Sequence, residues 1–276
     1  MTIFTIIKEA LRIARAHKSL WVFGFLVGVS AGFNGGGGGG QQTAGQAAAT
    51  PPEPMTVLAI VLGVLAVVVG FVILKFLSTA ALIEGVKRAR GHGSMTVREG
   101  FREGWAHWGV LFRIALSYLL INAGSVALLT GGCYVVWLAF GVPAFHVACG
   151  VAVLVGVPWL LTLYMWRAFA ERIAVLENRQ ALDALRKARL FLHGRLQLGL
   201  KLLVAGLVGV LLVVAVGVLV IAPLVLLVVG LVQLWGLPAI ALGVLTIPAA
   251  LFVAFAFVGI MTSSVWTIGY LTQVER

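Results

Sequence analysis

The stretch LLVAGLVGVLLVVAVGVLVIAPLVLLVVGLVQLW, residues 202–235, contains no Asp, Glu, Lys or Arg. A helix crosses a bilayer with about 20 mostly apolar residues, so this run crosses with residues to spare. Pro223 lies inside it with no charged neighbour and reads as a kink. Similar runs lie on both sides. Residues 237–268 hold another, with Pro248 inside and Trp266 and Tyr270 near its end, where aromatic residues favour the membrane interface. Upstream are 144–166, then 110–142 with Arg113 near its start, then 56–83 with Lys75 as its only charge. Leu20–Phe33 is short enough for the core of a secretory signal. The charged leader before it is long, so it reads as a short span fed by a preceding helix, the first of six.

The whole chain agrees with this reading. It has 276 residues, 61% hydrophobic and 11% charged, whereas soluble domains run near 45–50% apolar and about 25% charged. That excludes an ordinary soluble enzyme, a disordered chain and a disulfide scaffold. The formal charge is +11, from 20 Lys+Arg against 9 Asp+Glu. A soluble protein so basic would suggest nucleic acid. In a membrane protein the same excess belongs to cytoplasmic loops facing anionic lipid, and nucleic acid is not expected.

The basic residues also orient the chain. Lys8, Arg12, Arg15 and Lys18 precede the first span; Lys87, Arg88, Arg90, Arg98 and Arg102 lie between the second and third; Arg167 to Lys201 contribute eight more between the fourth and fifth. The other connections carry Glu53 alone. Six spans with both termini in the cytoplasm put every cluster on one side. Residues 34–55, with glycines from Gly35 to Gly40, read as a flexible external linker. Residues 141–143 read as a tight turn between the third and fourth spans.

A short pattern recurs in the polar segments. KEALRIARAH (8–17), REGFREGWAH (98–107) and LDALRKARLF (182–191) share an acid (Glu9, Glu99, Asp183), a small residue (Ala10, Gly100, Ala184), a large apolar one (Leu11, Phe101, Leu185), an arginine (Arg12, Arg102, Arg186) and a second small residue (Ala14, Gly104, Ala188). Acid and arginine three apart are neighbours on a helix surface. Small residues four apart let helix backbones approach closely. Thr96 and Glu99 suit a capping box before the second copy. The fold expected is therefore an all-α integral membrane protein with six transmembrane helices and three cytoplasmic amphipathic helices. It forms a single domain in which residues 1–90, 91–179 and 180–276 are pseudo-threefold repeats.

No catalytic set is legible. The histidines are scattered, HExxH is absent, and no metal or cofactor motif occurs. The GxSxG string Gly28–Gly32 lies in an apolar helical run, not between a strand and a helix. Gly24, Gly28 and Gly32 instead form a close-packing face. Lys75 and Arg113 are the intramembrane polar candidates, to be weighed as snorkelling anchors or a transport site. Cys133 and Cys149 come to similar heights near the outer face if the third and fourth spans form a hairpin, and are a candidate disulfide.

LWVFGFLVG (20–28), AALIEGVKRARGHGSMTVREGFREGW (80–105), AERIAVLENRQALDALRKARLFL (170–192) and SSVWTIGYLTQVER (263–276) resemble a group of bacterial multi-pass proteins. That group includes the membrane domain attached to some glycerophosphoryl diester phosphodiesterases. The resemblance implies a six-span helical protein of the bacterial inner membrane. It brings no catalytic residue, because the phosphodiesterase domain has no counterpart here. The function expected is a non-enzymatic scaffold or accessory subunit. It would contact anionic lipid or partner membrane proteins through Lys8, Arg12, Arg15, Lys18, Lys87, Arg88, Arg90, Arg102, Arg186, Lys187 and Arg189. The alternative is a small-molecule or lipid transporter or channel.

Overall fold

The computed structural model describes residues 3–17, 19–35, 54–91, 93, 95–235 and 237–274. Most of the Gly-rich linker, and Lys18, lie outside them. The described residues form seven helices: α1 (Ile3–Ala16), α2 (Ser19–Gly35), α3 (Pro54–Arg90), α4 (Val97–Leu176), α5 (Ala181–Leu192), α6 (Leu196–Trp235) and α7 (Leu237–Val274). Four of them, α3, α4, α6 and α7, are long and apolar enough to cross a membrane. The protein is thus an all-helical membrane protein. In hydrocarbon each backbone N–H and C=O must find a partner within the chain, and a helix supplies it.

Helix α4 is two helices joined at a sharp turn. Gly141 has φ 76 and ψ −169, a backbone region open in practice only to glycine. The arms 97–140 and 142–176 fold back on each other. Trp159 Nε1 donates to Ser125 Oγ at 3.0 Å, the Arg167 guanidinium sits 5.0 Å from the centre of the Tyr118 ring, and Gly156 faces Leu129. A second glycine turn, Gly194 at φ 85, separates α5 from α6. At the other end of α4 the Thr96–Glu99 capping box is complete: Glu99 N–H donates to Thr96 Oγ1, and Thr96 N–H donates to Glu99 Oε2.

The helices pack at one end and spread at the other. The core comprises Leu20, Phe23, Leu82, Phe169, Ile173, Leu202, Ile260 and Ile268, all buried. Around it α1 and α5 lie against α7 and α4 respectively. By contrast Leu58–Val69, Leu119–Leu154 and Leu207–Leu227 carry mostly exposed apolar side chains. An exposed apolar surface of that extent is solvated by lipid or covered by another chain. The 37 residues of α3 span about 55 Å, against roughly 30 Å of hydrocarbon.

Glycines set the tightest crossing. Helix α2 meets α7 where Gly24 and Gly28 lie against the carbonyls of Ala256 and Phe255, and Gly259 lies against the carbonyl of Gly24. A Cβ at any of these three would run into backbone. The GxSxG string lies within α2, which has no nucleophile-elbow geometry.

In the three segments that share the short sequence pattern, the small residues Ala10, Ala14, Gly100, Gly104, Ala184 and Ala188 are all buried, while Arg12, Arg102 and Arg186 are all exposed. The segments differ in how they continue. The second runs unbroken into the first arm of α4, whereas α1 breaks before α2 at His17 and α5 breaks before α6.

Candidate functional site: a cationic collar and a half-open polar cavity

Two cationic features occupy the packed end. The first is a collar on α1, the end of α3, the start of α4 and α5. Not all its members are equally available. Lys87 pairs with Glu84 at 3.3 Å, Arg88 with Glu103 at 3.1 Å and Glu84 at 3.5 Å, and Arg90 with Glu9 at 3.5 Å. Lys187 is held by Glu177 at 2.6 Å. These four are engaged within the protein. Lys8, Arg12, Arg15, Arg102, Arg186 and Arg189 make no ion pair among the described residues and are exposed.

The expected pairing of Arg12, Arg102 and Arg186 with the acid three residues before each does not form among the described residues. Glu9 turns to Arg90 on α3, Glu99 caps its own helix, and Asp183 stays exposed. A longer-range ion pair and a cap each satisfy a carboxylate that an exposed i,i+3 pair would stabilise only slightly. The three arginines are left unneutralised.

Two collar residues adjoin apolar grooves. Arg15 and Leu11 border a groove of about 450 Å³ between α6 and α7, walled by Leu212, Val216, Val220 and Phe257. Arg189 borders one of about 420 Å³ beside Ile121, Trp159 and Leu192.

Glu177, just past α4, is the structural hub of the collar. It accepts hydrogen bonds from Lys187, from Arg179 Nε at 3.0 Å and from the buried Tyr270 hydroxyl of α7. Burial alone would raise its pKa, but these donors outweigh it and hold the carboxyl below its ordinary value. Two tryptophans add ties: Trp166 Nε1 donates to Leu185 O at 2.7 Å, and Trp21 Nε1 to Ala14 O at 2.8 Å.

The second feature lies deeper. A cavity of about 290 Å³ between α3, the second arm of α4 and α7 is lined by Lys75, Arg167, Glu171, Arg172, Ser263 and Tyr164, with apolar walls from Val27, Phe76 and Trp266. Glu171 accepts from Arg167 Nε at 2.8 Å and from Arg172 at 3.4 Å. Arg172 is 5% exposed and also donates to Ala168 O. Of the two intramembrane candidates, Lys75 lines this cavity, whereas Arg113 is exposed on the outside of α4. The sequence reading ends the fourth span at Trp166 and leaves Arg167 and Arg172 in the connection that follows; the helix runs on to Leu176 and brings both side chains to this cavity. Arg167 and Glu171, spaced i,i+4, were the only local signal.

Cys133 and Cys149 face the same crevice between the arms of α4 and are free thiols. No group of three or more His, Cys, Asp or Glu side chains among the described residues is placed to hold a metal ion. No protein-family model, curated protein or solved structure matches the chain. The functional reading therefore rests on this geometry.

Proposed function

We propose that the protein is a non-enzymatic scaffold or accessory subunit of the bacterial inner membrane, contacting anionic lipid through the cationic collar. The carrying observation is Arg15 at the mouth of the apolar α6–α7 groove. A cation beside an apolar groove matches the two halves of a phospholipid, headgroup and acyl chain. Each basic residue near an anionic surface contributes about 1 kcal/mol before screening, so six exposed cations form a substantial attraction. In this reading there are six spans, with α2 as the short first one and the two arms of α4 as the third and fourth. Both termini are cytoplasmic, and the three amphipathic segments descend from one duplicated unit. The resemblance to the phosphodiesterase-associated membrane domains fits such a role, because in those proteins the catalytic work belongs to a separate domain and not to the membrane part.

A second reading, a lipid or small-molecule carrier, is favoured by Lys75 lining a cavity with Arg167 and Arg172. Native mass spectrometry of the wild type and an Arg12→Gln/Arg15→Gln/Arg102→Gln/Arg186→Gln variant, with a liposome flux assay in parallel, separates the two. The scaffold reading expects fewer retained anionic lipids in the variant and no flux in either protein. Equal lipid retention, or a flux abolished by Lys75→Ala in a folded protein, would favour the carrier.

A further inference from the structure

The cavity around Lys75 is a different place from the collar and poses its own electrostatic problem. Three cationic side chains, Lys75, Arg167 and Arg172, share it with one carboxylate, Glu171. That carboxylate is already divided between the two guanidinium groups. Lys75 makes no ion pair among the described residues. Excess positive charge in a site walled by Val27, Phe76 and Trp266 is costly unless an anion compensates it.

Unused donors sharpen the point. Arg172 Nε and Ser263 Oγ are buried and have no hydrogen-bond partner among the described residues, and Ser263 is 4% exposed. Both residues line the cavity. The neighbouring hydroxyls of Thr79 and Thr262 already donate to the backbone carbonyls of Lys75 and Val258. Water would satisfy the serine and the guanidinium N–H but would leave the charge uncompensated. A tetrahedral oxyanion does both, because its several oxygens accept from divergent donors while its charge offsets the cations.

We propose that the cavity bounded by Lys75, Arg167, Arg172 and Ser263 binds a phosphate-bearing anion, such as the headgroup of an anionic phospholipid. Lys75 lies 15 residues before Arg90 on α3, about 22 Å along the helix axis. The phosphate would thus sit deeper than one bound at the collar.

The test uses the full chain in a neutral detergent and follows thermal unfolding against increasing ligand, since a ligand of the folded state raises its stability with concentration. The probes are short-chain phosphatidic acid, short-chain phosphatidylcholine and inorganic phosphate. Phosphatidic acid is expected to protect saturably and phosphatidylcholine is not. Protection by inorganic phosphate as well identifies a free oxyanion as sufficient; protection by phosphatidic acid alone identifies the lipid headgroup. Lys75→Gln removes one charged donor and should weaken binding about tenfold, while Lys75→Arg retains it. If Lys75→Gln is not monodisperse, Ser263→Ala, which removes the unpartnered hydroxyl donor, carries the same expectation. In an Arg12→Gln/Arg15→Gln/Arg102→Gln/Arg186→Gln variant, which removes collar binding, the Lys75-dependent part of the protection should remain, so failure of the collar reading is told apart from failure of this one. No protection by either phosphate probe, equal protection by phosphatidylcholine, or undiminished binding in a folded Lys75→Gln protein would overturn the proposal.

Discussion

Replacing Glu177 by alanine tests whether the collar is held as a unit. Its carboxylate joins the end of α4 to α5 through Lys187 and to α7 through Tyr270. The contributions are unequal. Lys187 and Arg179 are 43% and 51% exposed at the side chain, and ion pairs of that kind are worth about 0–1 kcal/mol each. Tyr270 is 2% exposed, and a buried hydroxyl left without its charged acceptor costs roughly 1–3 kcal/mol. Together Glu177→Ala should destabilise by about 3 kcal/mol. Tyr270→Phe removes the same bond without leaving an orphan, so the double variant should fall short of the sum of the single effects by at least about 0.5 kcal/mol.

The effect carries a pH signature. Because the folded carboxyl titrates below its ordinary value, its stabilisation is fully present above an unfolded pKa of about 4.3 and is lost as pH falls through the folded value. The gap between wild type and Glu177→Ala should therefore be widest near neutral pH and close in acid. Denaturation followed by circular dichroism in detergent reads both quantities. Equal stability at neutral pH, or a gap that does not narrow in acid, would refute the hub.

Other perturbations probe the packing. Gly28→Leu should disrupt the α2–α7 crossing, where a Cβ meets the Phe255 carbonyl, whereas Gly63→Leu, with nothing within 4 Å, should be near neutral; thermal stability of the two variants measures the contrast. Thr96→Ala removes one half of the capping box and should cost about 1 kcal/mol, readable in the same assay. Thiol counts of the denatured protein should give two free cysteines with or without reductant, as expected from the unbonded pair Cys133 and Cys149.

Much of the fold was legible because the membrane imposes simple rules. Long apolar runs marked α3, α6 and α7, and Gly141 with Pro143 marked the turn within α4. The four-residue spacing of Gly24 and Gly28 marked a close-packing face without naming α7 as its partner, and Thr96 with Glu99 marked a helix start. The cavity was not legible. Arg167, Glu171 and Arg172 look like one more basic cluster until the second arm of α4 is known to continue past Trp166 and turn them toward Lys75, 92 positions away from Arg167. The partner of Glu177 is Tyr270, 93 residues distant, and no local pattern names it. The i,i+3 ion pairs failed for a related reason: Glu9 found Arg90 across the α1–α3 interface, a contact set by packing and not by spacing.

The account depends most on the collar facing the anionic inner leaflet. With Cys133 and Cys149 first replaced by serine, single cysteines at Arg189, exposed on α5, and at Gly37, in the Gly-rich linker, can be exposed to a membrane-impermeant maleimide in intact cells. Labelling at position 37 and none at position 189 before lysis is the expected result. Labelling at 189 with protection at 37 would put the basic end outside and contradict the account.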